Sequence, residues 1–442
     1  MRTDVPVIDQ LFGMRLWGTS IPGIKGVIKE RSEDFIVEEI LPNGHIIELN
    51  NPKLPHTGYE GLFTHFILQK KGIGSFEAKW LLSKFLKIPV SWIFFAGNKD
   101  KDALTIQRAT VWNVPPEELS QINISPRLKI LSPIRELRRL HIGDLYGNRF
   151  TILIRKIPLH NEVKIKKFTN MLQEGLYLPN FFSYQRFGIL NVCTHFVGKL
   201  VLLGNYDEAI KIYLTTPSPL DSPQVRLARE KILERDFKTA KALLPKEGFI
   251  VEKLLLSKLN EGRSAEIAFK KLPLYILRMI VESYQSYLFN QILSTGILEN
   301  IIPYEERFNK KLPLIGYRIL DKLPSDIKYL VDVVLEKEGI NYKLFTKKAK
   351  IKTSLVGGWR PMMQYIKVTV SKIGKKEDFL SLLLRFILRK GEYATNLLRE
   401  IFKENILFSL FSKRIALLGE KLFLESVKRW IDFNLKYMST HR

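Results

Sequence analysis

The chain reads as an α+β protein in which a β-rich part is interrupted by a long helical segment. Three observations predict this. The first 155 residues or so hold short apolar and β-branched runs broken by turn residues. From about 161 to 300 the apolar spacing becomes helical, and residues 360 to 370 (RPMMQYIKVTV) return to alternation. Strand pattern, helical pattern and strand pattern again is the order that one domain inserted into another produces. At 442 residues the chain also exceeds what one typical domain needs.

Taken in order, residues 25 to 40 (KGVIKERSEDFIVEEI) predict two strands around a charged turn, and residues 62 to 68 (LFTHFIL) a further one. Ser75 is expected to cap a helix whose buried face includes Trp80, Leu81 and Phe85. The preceding Gly72-Ile73-Gly74 lacks the third glycine of a dinucleotide loop and reads as a turn. Residues 92 to 112 (WIFFAGNKDKDALTIQRATVW) predict strand, loop and strand, and NRFTILIR after Gly147 predicts another strand. Between these, residues 127 to 139 hold Arg127, Lys129, Arg135, Arg138 and Arg139 against one acid, Glu136. LLGNYDEAIKIYL, 202 to 214, has the look of one helical-repeat unit, but no second copy follows at a fixed spacing, so a repeat protein is rejected. TTPSPLDSP, 215 to 223, is expected to be an exposed connection, and the last 65 or so residues to be mostly helical.

Lysine and arginine outnumber the acids 70 to 45, a formal +25 that would draw the protein to a polyanion, nucleic acid first among them. The first hundred residues carry 12 basic and 11 acidic side chains, so the excess lies later in the chain. A single cysteine, Cys193, excludes an internal disulfide, and with seven scattered histidines it argues against a structural metal site. The N-terminal MRTDVPVIDQLFG lacks the apolar stretch of a signal peptide, and no apolar run is long enough to span a bilayer. A soluble cytoplasmic protein with no membrane partner is the expectation.

Gly97-Asn98-Lys99-Asp100-Lys101-Asp102 alone is turn composition. The longer string from Gly97 to Gln107, GNKDKDALTIQ, resembles the signature of the TruD pseudouridine synthases, G-x-K-D followed by A-x-T-x-Q. Five further segments agree in the family's order. Glu33 to Glu39 resembles the E-D-F strand, with Ser32 where a proline is common. Gly143 to Phe150 is similar to G-x-x-x-G-N-x-F. Pro179 to Gly188 resembles P-N-Y-F-G-x-Q-R-F-G, with Phe181 and Ser183 as departures. Ser286 to Asn290 resembles S-x-L-F-N, and Lys390 to Glu400 the closing G-x-[FY]-A-T-x-x-L-R-E. Six weak matches in order make a specific signature.

The resemblance implies a pseudouridine-synthase catalytic domain with a mainly antiparallel sheet, residues 1–174 and 356–442, interrupted by an inserted TRUD domain at 175–355. It implies isomerisation of a uridine in tRNA, at position 13, with Asp100 as the catalytic carboxylate. Neither cofactor nor metal is expected, because the reaction needs no redox change or external energy. The target uridine must leave its stack, and aromatic rings can receive it. By resemblance Tyr393, and with it Phe35 and Phe150, supply ring surface, while Asn148 offers an amide to the base or to the catalytic loop. Lys99 would help keep a buried Asp100 ionised if the two side chains meet. Arg186 could bind phosphate or pair with an internal acid. The residues after 400 extend beyond the family's usual end, and their apolar content predicts that they pack rather than bind RNA. The alternative function is a non-catalytic RNA-binding protein or chaperone on the same scaffold, and a more distant one is a basic helical protein scaffold.

Overall fold

The computed structural model describes residues 3–55, 58, 61–122, 124–246, 248–345 and 355–440. It divides into two compact units. One comprises Ile21–Tyr177 and Tyr365–Lys413, the other Met1–Ser20, Leu178–Gln364 and Arg414–Arg442.

The first unit is built on one sheet. Its strands are β1 (Phe35–Ile40), β2 (Phe63–Lys71), β3 (Ile93–Phe95), β4 (Leu104–Trp112), β5 (Leu128–Glu136), β6 (Gly147–Pro158), β7 (Val368–Lys376) and β8 (Phe379–Arg389). They run in the order β7-β8-β6-β1-β4-β2-β5, with β3 beside β4. Every neighbouring pair is antiparallel except β1 and β4, where Ile36 lies opposite Leu104 and Glu38 opposite Ile106. Because side chains alternate along a strand, the registers assign each residue to a face. Phe35, Val37 and Glu39 share one with Ile152, Phe150 and Asn148 of β6, and with Leu384, Phe386 and Leu388 of β8. Thr105 and Gln107 of β4 and Lys70 and Leu68 of β2 continue it.

Four expectations change here. Residues 25–40 hold one strand, since Val27 makes only an isolated bridge to Arg155; the charged Lys29–Asp34 segment leaves no room for a ladder. The helix Ser75–Leu86 is capped by the extended Gly74, and Ser75 is its first residue. That helix buries Ala78, Leu82 and Leu86, while Trp80 and Phe85 are exposed. The small Ala78 lets the backbone approach the core, which turns the large rings outward. Finally, Phe379–Arg389 is a strand inside a segment expected to be helical. Its apolar run satisfies both periods over a short window, and Leu380, Leu382, Leu384, Phe386 and Leu388 are the buried residues.

The second unit is helical. Its centre is the 25-residue helix Leu274–Leu298, apolar around most of its circumference and so buried on most sides. Asn290 on this helix donates to the carbonyls of Phe12 and Phe182, each 2.8 Å away, and accepts from the Phe182 amide, also 2.8 Å. The S-x-L-F-N asparagine therefore fastens two chain segments to the core. The first 20 and last 29 residues belong to this unit, whereas the sequence placed them with the sheet. Phe12 stacks on Phe187 at 5.1 Å, and the buried Trp430 donates its indole N–H to the Asn191 carbonyl at 2.8 Å. Of the residues after 400, Phe402 and Ile406 are buried in the sheet unit, and Phe423, Val427 and Trp430, beyond residue 413, are buried in the helical one. The segment 215–223 is not an exposed connection: Thr216, Ser218 and Asp221 are buried. Asp221 accepts two bonds from Arg229 (2.7 and 3.1 Å), and the Ser218 hydroxyl donates to the Leu190 carbonyl, so these polar groups are satisfied inside. The expected end of the insertion at 355 adjoins residues 346–354, which lie outside the described residues.

Candidate active site

The chain leaves β3 at Phe95, crosses the Glu39–Asn148 face of the sheet as residues 96–103, and re-enters as β4. Gln107 holds this loop with a 3.4 Å bond from its amide to the Gly97 carbonyl, and the Gly143 amide donates to the Ala96 carbonyl at 2.8 Å. The Lys99 amide donates to the Ser75 hydroxyl oxygen at 2.9 Å. Ser75 thus serves the loop from the first turn of its helix.

Beneath the loop lies Lys70, which has no exposed surface. Its ammonium donates to the carbonyls of Ile73 (3.0 Å), Lys99 (3.4 Å) and Asp100 (3.0 Å). Burial lowers its pKa to about 8, the nearby Asp100 charge pulls it up, and Lys99 pushes it down. A single buried cation therefore pins three carbonyls around the loop.

Lys99 and Asp100 diverge. The Lys99 ammonium is buried, paired with the Glu39 carboxylate at 2.9 Å and donating to the Asn148 side-chain oxygen at 2.5 Å. The Asp100 carboxylate receives its cation from Lys29, 2.5 Å away, with both side chains less than a fifth exposed. Its other oxygen accepts from the Asp102 amide at 3.1 Å, a local turn that orients the carboxylate. Lys29 has a left-handed backbone (φ 56°), a conformation that L side chains adopt sparingly and that clusters at functional sites. Its ammonium also lies 4.5 Å above the Phe35 ring.

Phe35 is 3% exposed and stands edge-on to Phe150, centroids 6.1 Å apart, while Phe150 stacks on Phe386 at 5.6 Å. Phe150 keeps partial exposure; Phe35 shapes the site through Lys29 and Phe150. Asn148 is set by Gly147, where an added Cβ would stand 2.0 Å from the Leu388 carbonyl. Only glycine allows β6 and β8 to close there. Tyr393, half-buried at the start of helix Ala394–Phe402, lies four residues beyond Arg389, the partner of Gly147. It therefore emerges at the Asn148 end of the strand pair.

Of the residues picked from sequence, the structure brings Asp100, Lys99, Asn148, Phe35 and Phe150 together on one face, with Tyr393 at its end. Arg186 belongs to the helical unit, where it donates to the Ser286 hydroxyl at 3.0 Å and lies 3.7 Å from Glu282. Lys29, Lys70, Glu39 and Ser75 were missed. Alternation did offer two of them, since Glu39 shares parity with Phe35, and Lys70 with Phe66 and Leu68. Among the described residues no helix is long and apolar enough to cross a membrane, and no group of three or more His, Cys, Asp or Glu could hold a metal ion.

A carboxylate less than a fifth exposed, paired with a lysine and set beside aromatic rings on a mainly antiparallel sheet, makes this a candidate enzyme site. Comparison with known proteins supplies its class. The profile of the family described as tRNA pseudouridine synthase D (TruD) matches residues 11–310 and 303–401. A "Probable tRNA pseudouridine synthase D 1" of Methanocaldococcus jannaschii is 33% identical over 387 residues, covering 86% of this chain and 96% of the relative. A similarly described protein of Archaeoglobus fulgidus is 32% identical over 438 residues, covering 90% and 100%. The solved structure of a Methanosarcina mazei protein assigned to tRNA pseudouridine synthase D (TruD) superimposes with a TM-score of 0.65 at 27% identity, covering 91% of this chain and 99% of that one. The chain belongs to the TruD family, and it is an isomerase of the pseudouridine synthase class.

Proposed function

We propose that this protein converts a uridine of tRNA, at position 13, to pseudouridine, with Asp100 as the catalytic carboxylate. The observation that carries the reading is the Lys29–Asp100 pair: the one carboxylate of the loop that is both oriented by its own turn and within reach of solvent. In this reaction the C1′–N1 bond breaks, the uracil turns, C1′ joins C5, the C5 proton leaves, and N1 takes up a proton. A carboxylate suits attack on the sugar, attack on the base, and proton abstraction alike. In each, the Lys29 ammonium stands beside the reacting carboxylate as a fixed positive charge. Phe150 and Tyr393 offer ring surface to the flipped uracil, and Asn148, held by Lys99, presents its amide N–H groups on the same face. The names of the relatives support tRNA as the substrate class.

The sheet unit is the catalytic domain in this reading and the helical unit the TRUD domain, with RNA grip spread over basic side chains outside the near-neutral first hundred residues. A tRNA substrate supports a cytoplasmic location. The test is incubation of purified protein with unmodified tRNA, without added cofactor, followed by base-resolution mapping of pseudouridine. Modification at position 13 by the wild type and none by Asp100→Asn is the expected result. Product formed equally by Asp100→Asn overturns the assignment, and tRNA binding with no product by the wild type favours the non-catalytic RNA-binding alternative.

A further inference from the structure

The helix Ser75–Leu86 turns an unusual face outward. Its buried stripe is Ser75, Ala78, Leu82 and Leu86. On the opposite line, at i and i+4, stand Phe76 and Trp80, 54% and 44% exposed. One turn on, the Lys84 ammonium lies 3.8 Å from the Trp80 ring centroid. Amphipathic helices ordinarily present polar residues here; this one presents two rings and a cation. Lys79 and Lys87 add to the charge of the segment, and Glu77 is its one acid.

This ridge is continuous with the proposed active site. Ser75 bonds to the Lys99 backbone, and Glu77 lies 4.0 Å from the Lys101 ammonium. Phe76 is thus the residue between two that touch the chain on either side of Asp100. We infer that Phe76 and Trp80, with Lys84, form a stacking platform for an unpaired nucleotide of the RNA substrate next to the uridine being modified. The inference rests on the reading of Asp100 as the centre of an RNA-modifying site. A base has an apolar face for the rings, and the adjoining phosphate suits the lysines. A second copy of this chain docked on the same ridge would instead set one Lys84 against another.

The double variant Phe76→Ser/Trp80→Ser tests this in the full chain, beside Phe85→Ser, whose ring is 50% exposed but points away from the ridge. With unmodified tRNA the double variant should raise KM by about ten-fold or more while kcat changes by less than about two-fold. Phe85→Ser should leave both unchanged, Trp80→Phe should keep most of the affinity, and melting temperatures should stay the same. An unchanged KM in the double variant overturns the proposal. So does a wild-type dimer that the double variant splits without change in KM. Direct tRNA binding to Asp100→Asn protein, with and without the two serines, separates this from the function proposed above. A ten-fold loss there upholds the platform even if the wild type makes no pseudouridine, and no loss sinks it even if the wild type is active.

Discussion

Lys29 and Lys99 stand at the same site and do opposite work. Lys99 is enclosed, neutralised by Glu39 and tied to Asn148, so its charge is spent on structure. Lys29 reaches the same loop from another segment and meets Asp100 where solvent still has access. Adjacency in sequence offered Lys99 to Asp100 on the condition that the two side chains meet; the Lys99 ammonium instead pairs with Glu39 and Asn148. A fully buried pair secures geometry, and a pair that keeps some solvent access keeps a charge available.

Breaking Asp100 itself should have the largest effect. Asp100→Asn is expected to lower turnover by about 10⁴-fold or more with tRNA affinity nearly unchanged, and Asp102→Asn should stay active because only its backbone serves Asp100. Next comes Lys99→Met, which leaves the Glu39 carboxylate buried without its cation. A loss of about 3–5 kcal/mol in a urea titration is expected. Lys29→Met should show the converse, about 10²- to 10³-fold slower turnover with a melting temperature near the wild type. Should both lysine variants lose stability equally and retain activity, the division between them fails.

Lys70 sharpens the same comparison through pH. Its folded pKa of about 8 lies below the ordinary 10.5, so between those values the unfolded chain binds more protons than the folded one. Stability contributed by this group therefore rises with pH from about 8 to 10.5, by at most about 3 kcal/mol. Unfolding free energies of the wild type and Lys70→Met, compared across that range, should diverge accordingly; parallel curves would show that Lys70 titrates normally. The smallest effect concerns Tyr393. Tyr393→Phe should keep most activity, and Tyr393→Leu should lose about 1–3 kcal/mol of stacking. Equal rates would remove it from the pocket.

Much of this was legible. The strands around the Asp100 loop announced themselves as apolar runs, and the G-N-K-D string marked that loop between β3 and β4. What stayed hidden depends on the third dimension. Nothing in KERSED says that Lys29 adopts a left-handed backbone and meets a residue 71 positions later. The helix Ser75–Leu86 misled because its largest apolar residues are not its buried ones: Ala78 sets the packing side, and a size-weighted pattern points elsewhere. Phe379–Arg389 was obscured by leucines dense enough to fit two periods. Linear order suggests that both ends of the chain return to the domain in which it started, whereas residues 1–20 and 414–442 group with the helical unit.

The pairing of β8 with β6 bears on how the protein is made. Pro158 lies opposite Phe379, with 220 residues between them. At translation rates of about 5–20 residues per second, the outer edge of β6 waits on the order of ten seconds or more for its neighbour. Through that interval a growing chain displays an unpaired edge rich in isoleucine, the kind of surface that recruits foreign strands. Synthesis of this protein should lean on a holding chaperone until residue 389 leaves the ribosome, and stalled chains ending before 379 should aggregate where chains ending after the hairpin do not.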